Sequence, residues 1–429
     1  MSHKMPIKSV SARRIWDSRG RPTVEAEIIL DDGSSGRGIA PAGASRGIAE
    51  AVDLRDGGDR HGGMDVTAAI KNIEKYISPA ILGLDASNQQ VIDDTLLELD
   101  PSSNKATLGG NTMIAVSLAT LNAAAAGNRV PLWQHLSGGE AVSLPIPEIQ
   151  IFGGGAHADR RVDIQDFMIM PLSAQSYDQA LRMTADVYRA AGNLMSEAGK
   201  LTGVADEGGW WPNFSHNEEA LDMLMRAIEH AGFVPGQDVG ISLDVAASEF
   251  FDGKAYALGL ENKILDTDDL IGLLGRWIDA YPIVSIEDPL AEEDHTGMRD
   301  FTNKYGDYLQ IIGDDYLVTN ALKVRKAAAS GICNAVLIKP NQAGTVSETK
   351  DALEEAKKAN WGTVVSARSG ETEDVTIVHL AVGWNSGQLK VGSFARSERM
   401  AKWNEGLRIA ERMGRAVHYT ESKTVISPR

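Results

Sequence analysis

Between Ile7 and Ala40 apolar and polar residues alternate in three segments, Ile7 to Trp16, Thr23 to Leu30 and Gly36 to Ala40. A period of two, interrupted at Asp17-Ser18-Arg19-Gly20 and Asp31-Asp32-Gly33, predicts an antiparallel meander. Pro41 to Gly47 is a run of small residues suited to a loop that moves over a ligand. The period then lengthens to that of amphipathic helices over Val66 to Ile77, Asn88 to Leu99 and Asn111 to Ala126. A small sheet followed by helices predicts an α+β domain over residues 1–135.

Beyond Pro145 short apolar runs alternate with helical patterns. Strands are expected at Phe167 to Pro171, Gly240 to Asp244, Ile283 to Glu287, Leu309 to Asp314, Ala335 to Lys339, Gly362 to Ser366 and Gln388 to Gly392. Helices are expected between them at Ser176 to Ala198, Asn217 to Ala231, Thr267 to Ala280, Ala321 to Ser330 and Val346 to Ala359. This rhythm predicts an α/β, TIM-like barrel over residues 140–429. No internal repeat or low-complexity tract interrupts it.

Composition narrows the class without changing the fold. With 43% hydrophobic and 24% charged residues the 429-residue chain has the make-up of a globular protein, not a disordered one. A formal charge of −17 and a pI near 5.0 argue against a nucleic-acid partner, which needs a basic face. The single Cys333 excludes an intramolecular disulfide and a cysteine zinc cluster. An apolar h-region is missing from the first residues and no run of 18 apolar residues occurs, so a cytoplasmic protein without membrane association is expected.

The candidate chemistry lies at the ends of the predicted barrel strands. Three of them finish in acids, at Asp244, Glu287 and Asp314, and the next finishes in Lys339. The C-terminal strand ends of a barrel converge on one mouth, so the three carboxylates can share one ion, and hard oxygen ligands of that kind select Mg²⁺. Burial or neighbouring positive charge can push Lys339 towards neutrality and make it a base for a proton beside a carboxylate. Taken singly, each acid is equally readable as a helix cap and the lysine as a snorkelling strand end.

Nearly the whole chain resembles the enolase family, phosphopyruvate hydratase. The resemblance is carried by Asp17 to Gly20 with Pro22-Thr23, Gly43-Ala44-Ser45, Leu54 to Gly57, Gly154 to Ala158, Asp206-Glu207-Gly208-Gly209 and Ser285 to Pro289. It continues through Lys339 with Asn341-Gln342, Arg368 to Asp374, and Ala395 to Arg399. It implies an enolase-type barrel behind an N-terminal domain that carries a lid loop, and a homo-oligomer, dimer or octamer. It further implies two Mg²⁺ ions, one held by Asp244, Glu287 and Asp314 and the other reached by Ser45 on the lid. By the same resemblance Lys339 is the base and Glu207 the acid, with Asp166 also in the catalytic set. Lys390 would hold the substrate carboxylate, Arg368 and Ser369 the phosphate, and His157 would cover the site from a second loop.

Four positions depart from the family pattern. Its Ser-His-Arg-Ser-Gly-Glu is Ser366-Ala367-Arg368-Ser369-Gly370-Glu371 here, so a ring is replaced by a methyl that cannot donate a hydrogen bond. Its Gln-Glu-Phe is Gln165-Asp166-Phe167, which withdraws the carboxylate by one methylene, about 1.5 Å. Arg46 follows Ser45 where threonine is usual, adding a cation that could meet a further anionic group. Trp210 and Trp211 follow the turn of Glu207, readable either as a stacking platform or as packing. The expected substrate is a small anionic phosphate or phosphonate, and the expected reaction an enolase-type dehydration outside the housekeeping form. The alternatives are a group transfer like that of carboxyphosphonoenolpyruvate synthases in phosphonate pathways, and a binding role without catalysis.

Overall fold

The computed structural model describes residues 4–44 and 46–422. Strands β1 (Ile7–Trp16), β2 (Pro22–Leu30) and β3 (Ser35–Ile39) form the antiparallel meander, in the order β1-β2-β3. Helix Gly110–Gly127 packs across this sheet and buries most of its residues. A Cβ at Gly38 would lie 2.3 Å from the carbonyl oxygen of Ala115, so glycine is what lets strand and helix approach.

The remaining strands are β4 (Ile146–Gly153), β5 (Asp166–Pro171), β6 (Leu201–Val204), β7 (Trp210–Pro212), β8 (Val239–Asp244), β9 (Tyr256–Leu258) and β10 (Lys263–Leu265). They are followed by β11 (Ile283–Glu287), β12 (Gln310–Gly313), β13 (Ala335–Ile338), β14 (Gly362–Ser366) and β15 (Gly387–Ser393). Eight of them, in the order β4-β5-β8-β11-β12-β13-β14-β15, close into a barrel through pairing of β15 with β4. Their inward and outward faces are both covered, and the burial of β8, β12 and β13 is complete, as expected of strands enclosed by helices. Among the described residues no helix is long and apolar enough to cross a membrane.

Several of the helices between the strands begin at side-chain caps that the sequence supplies. Ser176, Asp266, Asn320 and Thr345 each accept a hydrogen bond from the backbone N–H three residues on. At Thr345 the carboxylate of Glu348 returns the contact, accepting from Thr345 Oγ1 at 2.9 Å.

One strand departs from uniform alternation. β5 runs antiparallel to both neighbours, β4 and β8. The loop between β4 and β5 holds a single 3₁₀ turn, Gly155–His157, instead of a crossover helix, so the chain reverses rather than returning in parallel. The consequence is chemical. Asp166, the first residue of β5, pairs with Asp244, the last residue of β8, and therefore stands at the mouth where the other strands end.

The N-terminal domain is tied to that mouth. Ala42 and Gly370 exchange backbone hydrogen bonds, and the N–H of Ser18 donates to the carbonyl of Glu371 at 2.8 Å.

Candidate active site

The strand ends bring Asp244, Glu287, Asp314 and Lys339 together with Lys390, which projects from within β15. Lys390 Nζ donates to Asp244 Oδ2 at 2.9 Å and to Glu287 Oε2 at 2.7 Å. Lys339 pairs with Asp314 Oδ2, while Gln342 Nε2 donates to Asp314 Oδ1 at 2.8 Å. Gln165 Nε2 donates to Asp244 Oδ2 at 3.0 Å. All of these side chains are buried.

Three carboxylates here share two ammoniums, and of the three Glu287 is the one pushed towards its protonated form. Burial and then the charge of Asp244 lift its carboxyl well above the usual range, against the pull of Lys390. Burial lowers the ammonium of Lys390, but Asp244, Glu287 and Asp166 outweigh it and raise it well above its ordinary value. The same balance operates at Lys339, where burial is overcome by the charge of Asp314 and the net direction is up. This corrects the expectation that Lys339 is pushed towards neutrality: its buried partner is an anion at hydrogen-bond distance. Glu287 Oε1 is buried without a hydrogen-bond partner among the described residues. Among the described residues the ligand atoms that converge within 4.8 Å are those of Asp288, Asp314 and Asp315 and those of His157, Asp166 and Glu207, while Asp244 and Glu287 are bridged by Lys390 and Asp314 is paired with Lys339. In chemical kind, the acid-rich oxygen donors and the unused Glu287 Oε1 fit a small hard cation.

The opposite wall is built by the loops. His157 Nδ1 lies 3.0 Å from Asp166 Oδ1, its Nε2 lies 3.1 Å from Ser369 Oγ and 3.6 Å from Glu207 Oε1. Burial disfavours the imidazolium, yet Glu207 and Asp166 prevail and His157 is raised to about 9. Burial raises the carboxyl of Asp166, and the facing His157 charge reverses this and brings it to about 2. A small cavity opens between the walls, and Glu207, Asp166, Lys339, Arg368, Ser369 and Lys390 all line it. Of the residues expected at the site, the structure brings together all but two.

The first exception is Arg46. It is not among the residues that line this cavity but lines an adjoining pocket that shares Arg368, and it pairs with Asp53 at 2.8 Å, because that acid, also held by Arg55, lies within reach on the same segment. The second is Ser45, which lies outside the described residues. The neighbouring Ala44 N–H donates to Ser369 Oγ at 3.2 Å, so the loop does reach the candidate phosphate ligands.

Ala367 lines the cavity, 7% exposed, beside Arg368. Trp210 does not face the cavity. Its ring stacks on Tyr188 with centroids 4.6 Å apart, its Nε1 donates to the Tyr188 carbonyl at 2.8 Å, and Gly192 gives it room. Of the two readings of that aromatic pair, packing holds for Trp210.

Sequence reasoning missed Glu50 and Gln150. Glu50 accepts from both terminal nitrogens of Arg368, at 3.1 and 3.2 Å, and from Gln342. Glu50 and Arg368 are 318 positions apart, and no local pattern announces the pair. Gln150 carried a signal, a polar residue inside the apolar run Ile146 to Phe152, where β4 lies wholly buried.

Comparison with known proteins bears on the whole chain. Residues 7–136 match the family model for the enolase N-terminal domain, and residues 141–427 that for the enolase C-terminal TIM barrel domain. A protein named Enolase 1 from Desulfitobacterium hafniense (strain Y51) is 49% identical over 416 residues, 96% of this chain and 95% of its own. A protein named Enolase from Acidothermus cellulolyticus is 47% identical over 413 residues, 96% of each chain. With both domains matched in order and near-half identity along almost its full length, the chain belongs to the enolase family.

Proposed function

We propose that the protein is a Mg²⁺-dependent phosphopyruvate hydratase, interconverting 2-phosphoglycerate and phosphoenolpyruvate through an enolate. The observation that carries this reading is the placement of Lys339 and Glu207 on one small cavity whose floor is acidic and whose rim carries Arg368 and Ser369. In the dehydration direction Lys339 Nζ takes the C2 proton, and the C–H electrons pass into the substrate carboxylate. The C3–O bond then breaks, and Glu207 supplies the proton with which the hydroxyl leaves as water. Lys390 orients the carboxylate, while Arg368, Ser369 and His157 place the phosphate. Asp244, Glu287 and Asp314 would hold the ion, which supplies positive charge beside the developing enolate. Lys339 acts as a base only in its neutral form, so its ion pair with Asp314 has to weaken before proton removal.

Group transfer to a second anion is less well supported. Of the three features that motivated it, only Ala367 opens onto the cavity; Arg46 is engaged by Asp53 and Trp210 by Tyr188. A non-catalytic role leaves the buried lysines and acids unexplained. The test is the ultraviolet absorbance of phosphoenolpyruvate after purified protein is mixed with 2-phosphoglycerate and Mg²⁺. Product should form, stop with a chelator and resume with added Mg²⁺; formation no faster than with Lys339→Ala would exclude the reading.

A further inference from the structure

Gln150 connects the turn that carries Glu207 with the carboxylate of Asp166. It is fully buried in β4, next to an irregularity in the β4–β5 register between Gln150 and Phe152. Bulged positions of this kind re-aim side chains. Its Oε1 accepts the N–H of Gly209 at 2.8 Å. That contact fixes the orientation of the amide, because only the opposite atom, Nε2, can then donate to Asp166 Oδ1.

Asp166 Oδ1 thus takes two donors, Gln150 and His157, while Oδ2 is buried without a hydrogen-bond partner and lies 3.7 Å from Lys390 Nζ. On the other side, Gly209 closes the turn that carries Glu207, its carbonyl accepting from Ala205 at 2.7 Å. A Cβ at Gly209 would fall 2.3 Å from Gln150 Oε1, so the contact requires glycine there. Gln150 therefore spans from the Glu207 turn to the Asp166 carboxylate.

We propose that Gln150 is a positioning residue that sets the separation of Asp166 from the Glu207 turn, and that the side-chain lengths at 150 and 166 are matched. The inference rests on the hydratase reading for its kinetic consequence. β5 pairing fixes the Asp166 backbone against Gly153 and Asp244. An aspartate there holds its carboxylate about 1.5 Å closer to that backbone than a glutamate would. Glutamine, one carbon longer than asparagine, closes the gap from β4.

The experiment is an exchange of one methylene across the contact. Gln150→Asn and Asp166→Glu are made singly and together, with Gln150→Met as an apolar replacement of similar length. Each single exchange, and Gln150→Met, should lower kcat for dehydration by about 10- to 100-fold with KM changed less than threefold, since misplacement of a catalytic group by about 1 Å has that scale. The double exchange should recover at least tenfold over the worse single variant. Losses that simply multiply would overturn the matching.

A second readout needs neither substrate nor metal. The low-field proton resonance of the His157–Asp166 hydrogen bond should move in the single variants and in Gln150→Met, and return in the double exchange. Thermal unfolding of each metal-free variant confirms that it folds. Return of the resonance without dehydration by any form, wild type included, would sink the hydratase reading and leave the positioning role standing. A resonance indifferent to Gln150 would overturn the proposal itself.

Discussion

The charge on His157 gives a prediction that can be worked through in energy. His157 is raised to about 9 from an ordinary 6.5, with burial opposing and the charges of Glu207 and Asp166 prevailing. A group whose folded value lies above its unfolded one contributes stability that is fully present below the unfolded value. That contribution fades as pH rises through the folded value. The window is therefore from about pH 6.5 to about pH 9. A difference of about 2.5 units at ~1.36 kcal/mol each gives about 3 kcal/mol as the full contribution, part of it shared with Asp166. The perturbation is His157→Gln, which keeps hydrogen-bonding capacity and removes the titration. The assay is urea unfolding of the metal-free protein at intervals across the window. The wild-type stability advantage should be largest near pH 6 and shrink by about 2 to 3 kcal/mol by pH 9.5. A constant difference between the two proteins would refute the claim that a buried imidazolium faces Asp166 and Glu207.

Three other expectations follow from contacts already described. Glu50→Gln removes the charge that holds the Arg368 guanidinium, and KM for the phosphate substrate should change by about tenfold with kcat less affected; steady-state kinetics would show it. Lys390→Met leaves Asp244 and Glu287 buried without their shared cation, so metal-free stability should fall by about 3–5 kcal/mol, measured by denaturant unfolding. Gly192→Val forces a side chain against the Trp210 ring, where a Cβ already lies 2.5 Å from it; melting should show a loss of about 1–3 kcal/mol with kcat little changed.

The barrel was legible because its parallel strands are short, largely apolar runs separated by helices, several of them capped, and their ends carry the chemistry. Asp244 and Glu287 are the last residues of β8 and β11, and Asp314 and Lys339 directly follow β12 and β13. Position at a strand end is a one-dimensional property, and so it is readable from sequence. The antiparallel course of β5 is not. It depends on whether the chain between β4 and β5 forms a helix, and the glycine-rich stretch at Gly153 to Gly155 leaves that open. Asp166 could consequently be named by its family motif, whereas its location beside Asp244 required the pairing itself.

Partner choice was the other illegible property. Arg46 adds a cation to the lid segment, and sequence alone cannot say that Asp53 captures it. The two faces of Trp210 look alike in sequence, but Gly192 opens a slot on the adjacent helix and Tyr188 offers a stacking surface there. The direction of the Lys339 shift failed for a related reason: burial was foreseen, and the nearer anion decides the sign.

Formation of the enolate by Lys339 can be tested by proton exchange, which does not require complete turnover. 2-Phosphoglycerate is incubated with the protein and Mg²⁺ in D₂O, and the C2 proton signal is followed by NMR in the remaining substrate. That signal should disappear with wild-type protein and persist with Lys339→Ala at equal concentration. Exchange that continues undiminished in Lys339→Ala would contradict it.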